Sequence, residues 1–180
     1  NGRDLVKPYV EACRKHGLKV GLYYSPPDWY YNRYYMSFNF GSDEYYKRED
    51  PERFKDRPHF NMNHEPAVLP EKPKNWDIEF KAYIKNQVEE LLTQYGKIDI
   101  IWFDGGPEAI SIERIRELQP GIIINPRMHG YGDFKTPEVS FPKERLSGWW
   151  ELCLMWNKGG WGYTKPERYM PTSWVLSILA

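Results

Sequence analysis

Short β-branched segments alternate with amphipathic ones along this chain, and that alternation restricts the possible folds more than any single motif. From Asp4 onward, Leu5, Val6, Tyr9, Val10 and Cys13 recur at three- and four-residue steps and Gly17 supplies a stop, which predicts a helix. Pro8 falls near its first turn, where a missing N–H costs least. Residues 18–24 carry alternating apolar character and run into Ser25-Pro26-Pro27, a strand leaving into a loop. Phe80, Ile84, Val88, Leu91, Leu92 and Tyr95 mark a longer helix over 78–95, closed by Gly96. Residues 98–103 then form a strand that stops at the breaker cluster Asp104-Gly105-Gly106-Pro107. A helix over 110–118, strands over 121–125 and 146–153, and a last helix from Ser173 with Thr172 as its N-cap complete the order. Such an order predicts an α/β fold with a parallel sheet and right-handed crossovers. One interruption stands out: residues 26–76 are rich in Tyr, Pro, Asn and charge without a sustained period. A stretch that long inside a compact domain is functional or holds an inserted element.

Charge and composition narrow the function classes. With 25 basic and 25 acidic side chains the chain has no net charge and no basic block, which counts against a nucleic-acid partner. The longest apolar run, residues 98–103, is interrupted by Asp99 and is far shorter than the roughly 18 residues of a membrane span. Cys13 and Cys153 have no CxxC spacing, so neither a disulfide framework nor a zinc ribbon is indicated. His16, His59, His64 and His129 lack ligand spacing, and no metal or other cofactor is expected. The pairs Gly105-Gly106 and Gly159-Gly160 build no phosphate cradle, and no GxSxG elbow occurs. Aromatic residues make up 17% of the chain, which suits both core packing and stacking on the apolar faces of sugars.

In parallel α/β folds the ligand meets residues at the carboxyl ends of the strands. That rule selects Tyr23-Tyr24-Ser25 through Trp29, Trp102-Phe103-Asp104, Asn125-Pro126-Arg127 and Trp149-Trp150-Glu151. Asp104 closes an apolar strand, where a rigid element would hold a catalytic carboxylate, and Gly105 and Gly106 leave room beside it. The plainer reading is an Asp that caps the following turn. Two carboxyls flanking one bond are the minimal apparatus for glycoside hydrolysis. Glu138, after Pro137 in a loop, and Glu151, after two tryptophans, both qualify as the partner, and spacing does not rank them. Arg127 can make bidentate contacts with a carboxylate or a hydroxyl pair, and His129 is either a substrate contact or a loop histidine.

Taken together, these segments resemble the α-L-fucosidases of glycoside hydrolase family 29. The resembling parts are residues 3–25 with Asp28-Trp29, residues 83–96 running into Ile101-Trp102-Phe103-Asp104-Gly105, Asp133-Phe134-Lys135-Thr136-Pro137-Glu138, Trp150-Glu151-Leu152-Cys153 and Trp161-Gly162-Tyr163. They cover nearly the whole chain in the family's order. The resemblance implies a retaining exo-hydrolase that releases terminal α-L-fucose from glycans or glycoconjugates, with Asp104 as nucleophile. It favours Glu138 as acid/base, with Glu151 the alternative, and Tyr23, Trp102 and Arg127 as sugar contacts, to which the strand-end reading adds Trp29 and His129 as substrate-binding candidates. It implies a secreted, periplasmic or lysosomal setting, while the charge balance and short apolar runs leave no nucleic-acid or membrane partner expected. The family's paired-histidine segment, H-H-D-G-F, is absent here. The competing reading is a non-catalytic carbohydrate-binding or inactive piece of such a barrel.

The implied architecture also sets a length. A (β/α)8 barrel takes about 250 residues and rarely fewer than about 200. The chain is therefore expected to hold the middle and later βα units of an incomplete (β/α)8 TIM-like barrel over residues 1–180, cut at both ends, with 26–76 as an inserted loop. On its own such a piece is expected to be poorly stable and nearly inactive.

Overall fold

The structure, a computed structural model, describes residues 2–39, 50–157, 161–162, 165 and 168–179. The Gly159-Gly160 pair, Tyr163, residues 40–49 of the long loop and the terminal Asn1 and Ala180 lie outside the described residues. Helix α1 (Val6–Lys15) precedes strand β1 (Gly21–Tyr24); helices α2 (Pro51–Phe54) and α3 (Trp76–Thr93) lead to β2 (Ile100–Phe103). Helix α4 (Ile112–Leu118) leads to β3 (Ile123–Ile124), and α5 (Thr172–Leu179) comes last. The strands form a parallel sheet in the order β1-β2-β3, with Tyr23 opposite Trp102 and Ile101 opposite Ile124. The expected alternation of helix and parallel strand is thus observed as an α/β fold with a small sheet.

Strand periodicity divides this sheet into two faces. Leu22, Ile101, Phe103 and Ile124 are buried on one face together with Val10 and Cys13 of α1, the Phe80, Ile84, Val88 and Leu92 stripe of α3, and Ile112 and Ile115 of α4. The four α3 residues are spaced by four, so a single side of the helix enters the core. The other face carries Gly21, Tyr23, Ile100, Trp102 and Ile123, and Tyr23 is exposed. Gly21 is required there, because a Cβ would come within 2.7 Å of Ile100 Cγ2.

The strand expected over 146–153 is not formed. Residues 149–153 instead pair with 135–139 through two isolated parallel bridges, Lys135 with Trp150 and Glu138 with Cys153. Pro137 between them has no N–H to give, and Val139 sits at φ 65°, so the ladder cannot run on. Helix α5 starts at Thr172 itself, one residue before the expected start. No helix of the described residues is long and apolar enough to cross a membrane.

Candidate active site

The open face of the sheet leads to its carboxyl edge, where the side chains from three strands meet. Tyr23 and Trp102 are register partners, and their rings stack with centroids 5.5 Å apart at 17°. Asp104 is the first residue beyond β2, and its N–H donates to Tyr24 O across 2.9 Å, so its backbone is tied to β1. The Tyr23 hydroxyl donates to the Asp104 carboxylate. Burial, then that hydrogen bond and the carboxylate's charge, raise the Tyr23 phenol above its ordinary value and keep it a donor.

Arg127, in the turn after β3, connects this pair to the next loop. Its guanidinium carbon lies 4.7 Å from the centre of the Trp102 ring, and its Nε donates to Thr136 Oγ1 at 3.2 Å. A single nitrogen, Nη1, lies 2.5 Å from Glu138 Oε2 and 3.6 Å from Asp104 Oδ1. Laid end to end, those contacts put an upper bound of about 6 Å on the distance between the two carboxylate oxygens, a bound that admits the 5–5.5 Å carboxyl separation of retaining glycosidases. Glu138 is also followed by strained backbone, since a β-branched residue such as Val139 rarely adopts a positive φ.

These groups line one cleft of about 590 Å³, which also includes Ser25, Trp29, Cys153 and Trp161. That volume is in the range of small-ligand sites. Of the residues named from sequence, the cleft brings together Tyr23, Trp29, Trp102, Asp104, Arg127 and Glu138. Glu151 is not in its lining: its Oε1 accepts from Trp102 Nε1 and lies 3.8 Å from Cys153 Sγ, both of them cleft residues. Glu151 faces instead a larger cavity of about 670 Å³ shared with Ile123, Phe134 and Trp149. His129 is buried, its Nε2 donates to Ile110 O at 2.8 Å and its ring meets Phe103 edge-on, so it packs under the sheet edge outside the cleft.

Sequence reasoning placed Asn125 at a strand end and Asp28 beside Trp29 but missed how they hold this arrangement. Asn125 is fully buried; its Oδ1 accepts from Phe103 N and its Nδ2 donates to Phe103 O, both at 2.8 Å. An amide side chain carries both a donor and an acceptor, so it extends the ladder past a β3 only two residues long. The signal was an Asn at the end of an isoleucine run. A second set fixes the loop that bears Trp29: Tyr24 OH donates to Gln87, Gln87 to the Tyr83 hydroxyl, and Tyr83 OH to Asp28 Oδ2 at 3.0 Å. Burial raises the Tyr24 and Tyr83 phenols, so both remain protonated donors in this chain of bonds. Among the described residues, no group of three or more His, Cys, Asp or Glu side chains is placed to hold a metal ion.

Comparison with known proteins bears directly on this edge of the sheet. The sequence model described as alpha-L-fucosidase matches residues 1–180. The chain belongs to the alpha-L-fucosidase family. Its structure is similar to alpha-L-fucosidase isoenzyme 1 from Paenibacillus thiaminolyticus, with a TM-score of 0.60 and 33% identity over 99% of this chain and 44% of that one. It is also similar to alpha-L-fucosidase AlfC from Lactobacillus casei in complex with α-L-fucose, with a TM-score of 0.55 and 29% identity over 93% of this chain and 50% of that one. An AlfC variant in complex with 4-nitrophenyl-α-L-fucopyranoside matches with a TM-score of 0.58 and 27% identity, over 98% of this chain and 53% of that one. The chain thus spans about half the length of these fucosidases or less. A search of curated protein sequences found no match.

Proposed function

We propose that this chain carries the catalytic cleft of a retaining exo-glycoside hydrolase that releases terminal α-L-fucose from fucosylated oligosaccharides or glycoconjugates. The observation that carries this reading is the sharing of one Arg127 nitrogen by Asp104 and Glu138 in a sugar-sized cleft. Asp104 is the nucleophile: a carboxylate oxygen attacks the anomeric carbon as the glycosidic C–O bond breaks, and the bonding electrons leave with the departing oxygen. Glu138 protonates that oxygen. It then takes a proton from water, whose oxygen attacks the same carbon and displaces Asp104, so the starting configuration returns. Family membership supports this assignment, and the presence of Glu138 in the cleft lining, while Glu151 accepts from Trp102 Nε1 outside it, favours Glu138 as the acid/base. Tyr23 orients Asp104 and Arg127 orients both carboxylates, while Trp29 and Trp102 offer ring faces to the sugar and its methyl group. Residues 1–180 are then part of a (β/α)8 barrel, of which β1 to β3 are successive strands, and residues 26–76 form an inserted loop.

Hydrolysis of 4-nitrophenyl α-L-fucoside, with NMR detection of the first-formed anomer, tests the reading. The α anomer of fucose should appear first, and Asp104→Gly should lower kcat about a thousandfold or more. Added azide should restore turnover of that variant and yield β-fucosyl azide, because the small anion occupies the vacated place of the carboxylate. First release of the β anomer, or an Asp104→Gly variant that turns over as fast as the parent, would overturn the proposal.

A further inference from the structure

A run of aromatic residues leads away from the cleft. The segment Asp28-Trp29-Tyr30-Tyr31-Asn32-Arg33-Tyr34-Tyr35 holds five aromatic side chains in eight residues, of which Trp29 alone lines the cleft. Some of these rings are structural: Tyr31 packs on Trp76, Phe80 and Tyr83, and Tyr35 packs on Trp76, so the segment is anchored to α3. Asp28 ties the turn from inside, accepting from Tyr31 N and Tyr83 OH, and Trp76 Nε1 donates to Asn32. Tyr30 and Tyr34 differ from these, being 67% and 60% exposed on a fixed base. The Arg33 guanidinium lies over both rings, 4.0 and 4.4 Å from their centres, and donates to Tyr30 O at 2.6 Å. A hollow of about 450 Å³ is bounded by Tyr30, Arg33, Tyr34 and the anchored rings behind them.

We propose that Tyr30, Arg33 and Tyr34 form a second carbohydrate-binding subsite, which takes β-linked pyranose units of the glycan beyond the terminal sugar. The subsite lies beside the cleft along the chain, since Trp29 lines the cleft and the next residue, Tyr30, lines the hollow. Its chemistry suits a pyranose chain. A β-linked ring with equatorial substituents presents an apolar C–H face that stacks on an exposed phenol ring, while a guanidinium with five N–H donors serves vicinal hydroxyls at the ring edge. Holding the rings in place beforehand lowers the entropy lost on binding. The inference rests on the fucosidase reading for its ligand class, but the probe that tests it carries no fucose.

The probe is triacetylchitotriose, titrated into the protein by calorimetry and by NMR of the Arg33 Nε–H resonance. Binding is expected with a Kd on the order of millimolar. Tyr30→Ala and Tyr34→Ala should each weaken it roughly tenfold, whereas Tyr34→Phe, which keeps the ring, should bind nearly as well as the parent. Excess free L-fucose should not compete. If either Ala variant fails to fold, the response of the Arg33 resonance in the parent and in Tyr34→Phe reads the same contact. Unchanged affinity in the double Ala variant, displacement by fucose, an Arg33 resonance that does not respond, or no binding at all would overturn the proposal. Because the probe lacks fucose, any of these results leaves fucoside hydrolysis to be judged separately, and a failure of hydrolysis leaves this titration interpretable.

Discussion

Asn125 holds Phe103 by both of its backbone groups, so Asp104 begins from a fixed point at the end of β2. Asn125→Leu keeps the volume and removes both bonds, leaving a buried N–H and a buried C=O unpaired at about 1–3 kcal/mol each. Urea denaturation should show a loss of stability of that order. An unchanged midpoint for Asn125→Leu would mean that the side chain only fills space. Asp104 was legible in the sequence because a charged residue closing an apolar strand has few other places to go. Which of Glu138 and Glu151 lines the cleft was not, since Trp102 Nε1 claims Glu151 across 49 positions of sequence. The placement of His129 outside the cleft lining was hidden for a related reason: residues 127–129 form a turn, and two side chains two positions apart on a turn leave in different directions.

Elements were read most accurately where one periodicity ran long enough to dominate. Helix α3 shows this, with its buried stripe of Phe80, Ile84, Val88 and Leu92. The short strands were located by their β-branched residues, but β1 and β2 begin later than expected. Asp99 explains part of the difference, because its carboxylate takes the Val20 N–H where a longer ladder would have used a backbone carbonyl. The failed strand over 146–153 was hidden by composition: its residues suit a strand, and the obstacle, Pro137, lies in the partner segment. Between β2 and α4 the chain crosses close above Pro26, and Gly106 makes that crossing possible. It sits at φ 90°, and an added Cβ would fall 2.2 Å from Pro26 Cβ. Gly106→Ala should therefore destabilise the protein by about 2 kcal/mol or more, from strain and clash together. Gly2→Ala, at a positive φ but with nothing within 4 Å, should cost less in the same thermal melt.

The whole molecule should respond to acid through Asp99, which joins the amino ends of β1 and β2. The Val20 N–H is the main cause that holds its carboxyl below the ordinary carboxylate range, with Lys97 at 3.4 Å and Lys19 at 3.8 Å adding to it. A carboxylate depressed in the folded state adds stability above its unfolded value near pH 4, and that stability is lost as the pH falls through the lower folded value. Asp99→Asn should thus lower Tm at pH 7, and the gap between the two proteins should close below about pH 4. A gap that persists in acid would assign the loss to packing. Sheet order has a further consequence, which concerns time. Tyr23 and Asp104 are 81 positions apart in sequence, yet they touch only when two parallel strands have paired in register. Each such pairing closes a long loop before any contact rewards it, and folds built this way form slowly. The helices can assemble from neighbours in sequence, whereas the cleft has no local precursor, so the cleft is the last part of this chain to form as it folds.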